Sequence, residues 1–203
     1  LERFLQFAGD EGFKVIVTTN GTLLEKQKEV LLNASGLHKV NISLHAFEAN
    51  DLDVPFEEYL RRCFTFGQAA EGKKLVVYRL WNQGGENRQN DEILQAMHTA
   101  FPGEWVQERR GIRIGERIFL EYGDKFDWPD LTAEDGGDSV FCYGLRDQIG
   151  VLCDGTAVPC CLDHEGDIPL GNLFEQSLEE ILDTPRAKGI YEGFYNRKAT
   201  EEL

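Results

Sequence analysis

A chain of 203 residues that is 41% hydrophobic can bury one core, or two unequal ones. Its 36 acids against 21 bases, a formal net charge of -15, create a surface field that repels phosphate backbones and argues against a nucleic-acid partner. Apolar runs only a few residues long fall far short of the roughly 18 to 20 that cross a bilayer, and no basic and apolar leader opens the chain, so a cytoplasmic protein without a membrane partner is expected.

LERFLQFAGDEGF puts Leu1, Phe4, Leu5 and Ala8 at the spacing of one helix face. It begins without Met, and RAKGIYEGFYNRKATEEL closes without a polar tail, so a piece of a longer protein is expected. VIVTT, Val15 to Thr19, predicts a strand closed by the turn pair Asn20-Gly21. LLEKQKEVLLNAS predicts a helix with Leu24, Lys28, Leu31 and Leu32 near one face, ended by Gly36. A second strand is expected at Lys39 to His45, and a third helix opened by Asp53 and Pro55. Leu75 to Trp81 predicts the third strand, Asn90 opens a fourth helix ended by Pro102-Gly103, and IRIGERIFLEY is extended with a hairpin turn at Gly115-Glu116. Strands alternating with helices, two of them nearly continuous in apolar character, predict an α/β fold with a parallel sheet covered on both faces, as an open sheet or part of a barrel.

A composition shift follows. DLTAEDGGDS, Asp130 to Ser139, is acidic and almost free of apolar residues, which marks a linker. Beyond it DQIGVLC and TAVPCC predict a hairpin turning at Asp154-Gly155, and Ser177 with Glu180 has capping-box spacing for a short helix. Four of the five cysteines, Cys142, Cys153, Cys160 and Cys161, lie in this stretch. An odd count without a secretion signal fits a disulfide framework poorly and leaves metal binding or inert burial. Cys63, inside a helical RRCFTF, and Cys153, in a strand-like run, read as buried apolar residues. A zinc site built from Cys142, Cys160, Cys161 and His164 is a rival use. No internal repeat or low-complexity segment is present.

VTTNGTLL followed by VNISLHA resembles the third and fourth strands of the radical S-adenosylmethionine barrel. The C-terminal part resembles that family's SPASM or twitch extension: twelve residues separate Cys142 from Gly155, four separate Gly155 from Cys160, and LGNLFEQSLEEIL follows. The resemblance implies a partial (β/α) barrel over residues 1–128, a linker at 129–138, and a small α+β extension built on a β-hairpin and short helices at 139–203. It implies Cys142 and Cys160 as ligands of an auxiliary [4Fe-4S] cluster, with Cys161 pointing elsewhere because side chains alternate along a strand. It implies Ser43 as a contact to S-adenosylmethionine, with Thr19, Asn20 and Arg79 at the same end of the barrel. A turn role for Thr19 and Asn20, and an acidic neighbour for Arg79, stand beside that reading. Asn82, with Arg79, flanks the end of the third strand on the side where barrel active sites form, and His45 is a candidate substrate contact, although His45-Ala46 stands where many relatives carry Asp-Gly. GIRIGERI departs from the family's adenine-contact pattern at Arg113 and Ile118 and is discounted.

The implied activity is reductive cleavage of S-adenosylmethionine to a 5′-deoxyadenosyl radical that abstracts hydrogen from a peptide or other small substrate, with an electron donor such as ferredoxin or flavodoxin. The catalytic CxxxCxxC loop and the closing cysteines do not occur in this sequence and are expected outside it, so the chain alone is expected to be inactive. A zinc- or iron-sulfur-stabilised peptide-binding module without catalysis is the alternative.

Overall fold

The computed structural model describes residues 1–47, 53–109, 111–125, 128–129, 137, 139 and 141–200. The chain divides into two compact units, Leu1–Phe126 and Asp127–Leu203. The acidic stretch read as a linker lies almost wholly outside the described residues.

In the first unit, helix α1 (Glu2–Asp10) leads to strand β1 (Val15–Thr19), α2 (Leu24–Asn33) to β2 (Leu37–Ser43), α3 (Phe56–Ala70) to β3 (Leu75–Gln83), and α4 (Asn90–Ala100) to β4 (Val106–Glu108), β5 (Gly111–Gly115) and β6 (Ile118–Asp124). The sheet order is β1-β2-β3-β6-β5-β4. β1, β2, β3 and β6 run parallel, while β5 and β4 return antiparallel. Parallel strands in chain order with helices on one side are common to a segment of barrel wall and to an open sheet.

One parity of each central strand faces the helices. Val40, Ile42, Val76, Tyr78, Leu80, Ile118 and Leu120 join Leu5, Leu31, Leu60, Phe64, Ile93 and Met97 in a single cluster. Burying each large apolar side chain contributes about 1.5 to 3 kcal/mol. The other parity, with Thr18, Asn41, Arg79 and Glu121, stays out of this cluster. A continuous apolar run in β3 disguised the difference, because Val77 is buried on the second face without joining the cluster.

Boundaries differ from expectation at several points. β2 ends at Ser43, and Leu44–Phe47 forms a 3-10 turn, so His45 lies past the strand. α3 has Pro55 at its cap position without a side-chain cap, so Asp53 does not serve as one. The hairpin between β5 and β6 turns on Glu116 and Arg117, one residue later than read, with Arg117 at φ 65°. In α1 only Leu5 and Ala8 are covered, leaving Phe4 and Phe7 each 63% exposed.

The second unit is thinner. β7 (Gly150–Val151), β8 (Thr156–Val158) and β9 (Gly171–Asn172) form an antiparallel sheet. With α5 (Leu178–Leu182) and α6 (Pro185–Asn196) it closes on Ala157, Ile168, Leu170, Ile181, Ala187 and Ile190. Ser177 and Glu180 make the reciprocal capping box at α5, and Thr184 caps α6 with Pro185 in its first turn. No helix among the described residues is long and apolar enough to cross a membrane.

Gly67 in α3 tests how tightly the first core is closed. Ala ordinarily gains about 0.5 to 1 kcal/mol over Gly inside a helix. Here an added Cβ would overlap the Tyr78 hydroxyl and come within 3.3 Å of the Phe101 ring, and overpacking costs about 1 to 3 kcal/mol. Gly67→Ala should therefore lower unfolding free energy in urea, and adding Tyr78→Phe should restore part of the loss. A Gly67→Ala chain more stable than the parent would contradict this packing.

Candidate metal centre

Cys142 enters the second unit just before a tight turn. The Gly144 N–H donates to Cys142 Sγ at 3.2 Å, and Leu145 N–H donates to both Gln148 O at 2.8 Å and Pro159 O at 3.2 Å. These bonds press the turn onto the segment carrying Cys160. Gly144 lets them meet, since a Cβ there would stand 2.8 Å from Pro159 O, 3.0 Å from the Phe194 ring and 3.2 Å from Cys160 Cβ. Cys142 and Cys160 consequently line one and the same cavity. Burial pushes the Cys142 thiol above its ordinary value, the Gly144 N–H opposes that, and the neighbouring Cys160 and Cys161 sulfurs add to it.

The pair opens on a cavity of about 200 Å³ lined by Phe141, Pro159, Leu162, Ile168, Ile190 and Phe194. Asp163 also lines it but is committed elsewhere, its buried carboxylate accepting from Asp167 N–H at 2.8 Å and Ile168 N–H at 3.0 Å. The pocket is thus two soft donors in a mostly apolar wall. That suits a thiolate-held, water-shielded metal group better than a hydrated hard cation.

The remaining cysteines separate cleanly. Cys161 and Cys153 are exposed, and Cys63 is buried. Exposure of Cys153 corrects its reading as a buried apolar residue: β7 spans only Gly150–Val151, so Cys153 falls in the turn before Gly155, which takes φ 87°. Burial pushes the Cys63 thiol up to about 12, with Tyr59 pulling the other way. The rival zinc site is not assembled. The His164 ring leans on Trp128 at 4.5 Å with Nε2 3.1 Å from Glu165 Oε1, and among the described residues no three of His, Cys, Asp or Glu gather as metal ligands.

In the first unit the proposed cofactor contacts lie toward the C-terminal ends of β1, β2 and β3. Thr19 Oγ1 accepts from Gly21 N–H at 3.1 Å, and Asn20 Oδ1 accepts from Thr22 N–H at 3.2 Å and Thr22 Oγ1–H at 2.9 Å. Both side chains build the turn. The Tyr59 hydroxyl donates to Asn20 O at 2.7 Å and lies 3.5 Å from Ser43 O, tying α3 to the ends of β1 and β2. Ser43 pairs in register with Arg79, and Arg79 with Glu121. Arg79 Nε lies 3.5 Å from Glu121 Oε2, and its guanidinium sits over Trp81, 4.1 Å from the ring centroid. Burial pulls the Arg79 guanidinium down and Glu121 pulls it back. The His45 ring is pinned to β3, with Nδ1 3.2 Å from Trp81 N and 3.1 Å from Arg79 O. Asn82 is engaged by Glu86 O and by a two-way amide pair with Asn90, which fixes the loop after β3.

The sequence reading passed over Gly144, Lys39, Asn41 and Glu121. Local patterns carry no sign of the last three, whose common face follows from strand pairing alone, whereas a glycine two residues past a candidate ligand was a visible cue.

Residues 142–202 match the family model for SPASM, described as an iron-sulfur cluster-binding domain. The match takes in both Cys142 and Cys160. No curated protein and no solved structure gives a significant match to the chain. The SPASM match covers most of the second unit and leaves the first unmatched.

Alkylation order checks the cysteine environments. With iodoacetamide near neutral pH, peptide mass mapping should find exposed Cys153 and Cys161 modified ahead of Cys142, and Cys63 last, because burial and a raised thiol value both slow reaction. Modification of Cys63 ahead of Cys153 would overturn the assigned burial.

Proposed function

We propose that the second unit is the iron-sulfur module of a radical S-adenosylmethionine-type enzyme, with Cys142 and Cys160 as two of the cluster's ligands. The observation that carries this reading is that the SPASM match spans two thiols already brought together by packing around Gly144. Cluster binding takes thiolates, and a cubane usually takes four, so this pair supplies half of a set. The bound group would supply one-electron chemistry. The chain's own residues prepare for it: Gly144 N–H would stabilise the Cys142 thiolate, and Phe141, Ile190 and Phe194 would exclude water.

The wider activity belongs to the same proposal. The intact enzyme would cleave S-adenosylmethionine reductively and abstract hydrogen from a peptide or other small substrate, with ferredoxin or flavodoxin as electron donor. Support in the first unit is limited to the parallel strands β1, β2, β3 and β6, with Ser43 at the end of β2 in register with Arg79 of β3. Thr19 and Asn20 would shape the adjoining turn.

The test is anaerobic iron and sulfide analysis of the protein at its natural full length. Cys142→Ser and Cys160→Ser should each lower bound iron and sulfide, while Cys63→Ser and Cys153→Ser leave both unchanged. Full iron and sulfide in the Cys142→Ser, Cys160→Ser double variant, or stoichiometric zinc in place of iron, would remove this reading.

A further inference from the structure

The second unit buries a carboxylate without burying a cation beside it. Asp163 is 5% exposed, and the other buried polar side chains among the described residues are the neutral amides Asn41 and Asn82. Its two oxygens accept from Asp167 N–H at 2.8 Å and Ile168 N–H at 3.0 Å, neutral donors that fix the carboxylate's place without cancelling its charge. Cations of the same unit serve other acids, Arg146 pairing with Asp147 and Lys188 with Asp183. Taking a charge out of water is costly unless an opposite charge offsets it, and an uncharged side-chain oxygen could accept N–H donors in the same way. Closing the loop does not by itself account for a charged side chain at this position.

The place of this charge gives it a use. Asp163 N–H donates to Cys160 O at 3.3 Å, and both residues line the cavity that Cys142 also lines. Ile168, whose N–H the carboxylate holds, is part of the same wall. The carboxylate is thus tied into the loop that starts at Cys160, in a mostly apolar wall where little water reaches it to screen its field. Glu165 and Asp167, on the same loop, are exposed, so water screens their charges.

We propose that Asp163 tunes the iron-sulfur group held by Cys142 and Cys160, its fixed charge keeping the reduction potential low. The inference rests on the reading of those two cysteines as cluster ligands. An added electron makes the cluster and its thiolates more negative, and a negative charge fixed in the same wall opposes that change. Asp163 touches the group only through the loop and the field, so it is a positioning residue with an electrostatic effect.

The experiment is an anaerobic redox titration of the protein at its natural full length, followed by electron paramagnetic resonance. The signal lost in the Cys142→Ser, Cys160→Ser double variant belongs to this group. In Asp163→Asn, which keeps an acceptor and removes the charge, the reduced-to-oxidised ratio at a fixed potential should rise about tenfold, roughly 59 mV for a one-electron couple. Asp163→Glu should return most of that shift, and Asp167→Asn, at an exposed acid of the same loop, should leave the potential where it was. A clamp with no electrostatic effect would speed amide exchange at Asp167 and Ile168 in Asp163→Asn and leave the potential unraised. An unmoved or lowered potential in Asp163→Asn, an equal rise in Asp163→Glu, or loss of the group from Asp163→Asn would each overturn the proposal. Absence of any signal that depends on Cys142 and Cys160 would instead remove the ligand reading, and this inference with it.

Discussion

Register is the constraint on which the first unit depends. In β2, β3 and β6 every second residue enters the helix-covered core, and the residues between them must meet whatever lies on the far face. A slip of one position would drive Lys39, Arg79 and Glu121 into the cluster around Phe64 and Met97 and turn Val40, Tyr78 and Leu120 outward. The apolar contacts of one face therefore hold the polar geometry of the other. No hydrogen bond within the charged group is needed to specify it.

The second unit works by a different economy. Its core rests on two alanines and four branched aliphatics, too few to order the chain comfortably without help. Local devices make up part of the difference: the capping box at Ser177, the Thr184 cap, and the Asp163 carboxylate gripping two backbone N–H groups. A group held by Cys142 and Cys160 would add a crosslink between the turn at Gly144 and the segment that follows β8. Binding and folding would then be coupled in this unit.

Much of this architecture was legible in the sequence, for reasons that can be named. Alternating β-branched runs and helical periodicity placed β1, β3, α2 and α4, and Ser177 with Glu180 announced α5 by its cap chemistry. Thr19 and Asn20 were also readable as turn builders, since the geometry after β1 requires side-chain acceptors there. The resemblance to the SPASM pattern around Gly155 implied Cys142 and Cys160, and the two line one cavity of the second unit. What could not be read was pairing. Glu121 stands opposite Arg79 through a register that no local pattern encodes, and the early end of β2 at Ser43 has no proline or glycine to mark it. Cys153 was misplaced because DQIGVLC has the composition of a strand, although only Gly150 and Val151 pair as one.

Tyr59 carries a consequence beyond its place in the core. Its hydroxyl reaches the carbonyls of Asn20 and Ser43 from the first turn of α3, so a helix side chain spans the exits of two neighbouring strands. Loops leaving those strands are hinged to the same post. A shift of α3 along its axis would carry both together, making the mouth of the sheet respond as one piece to a push delivered on the helix's outer surface.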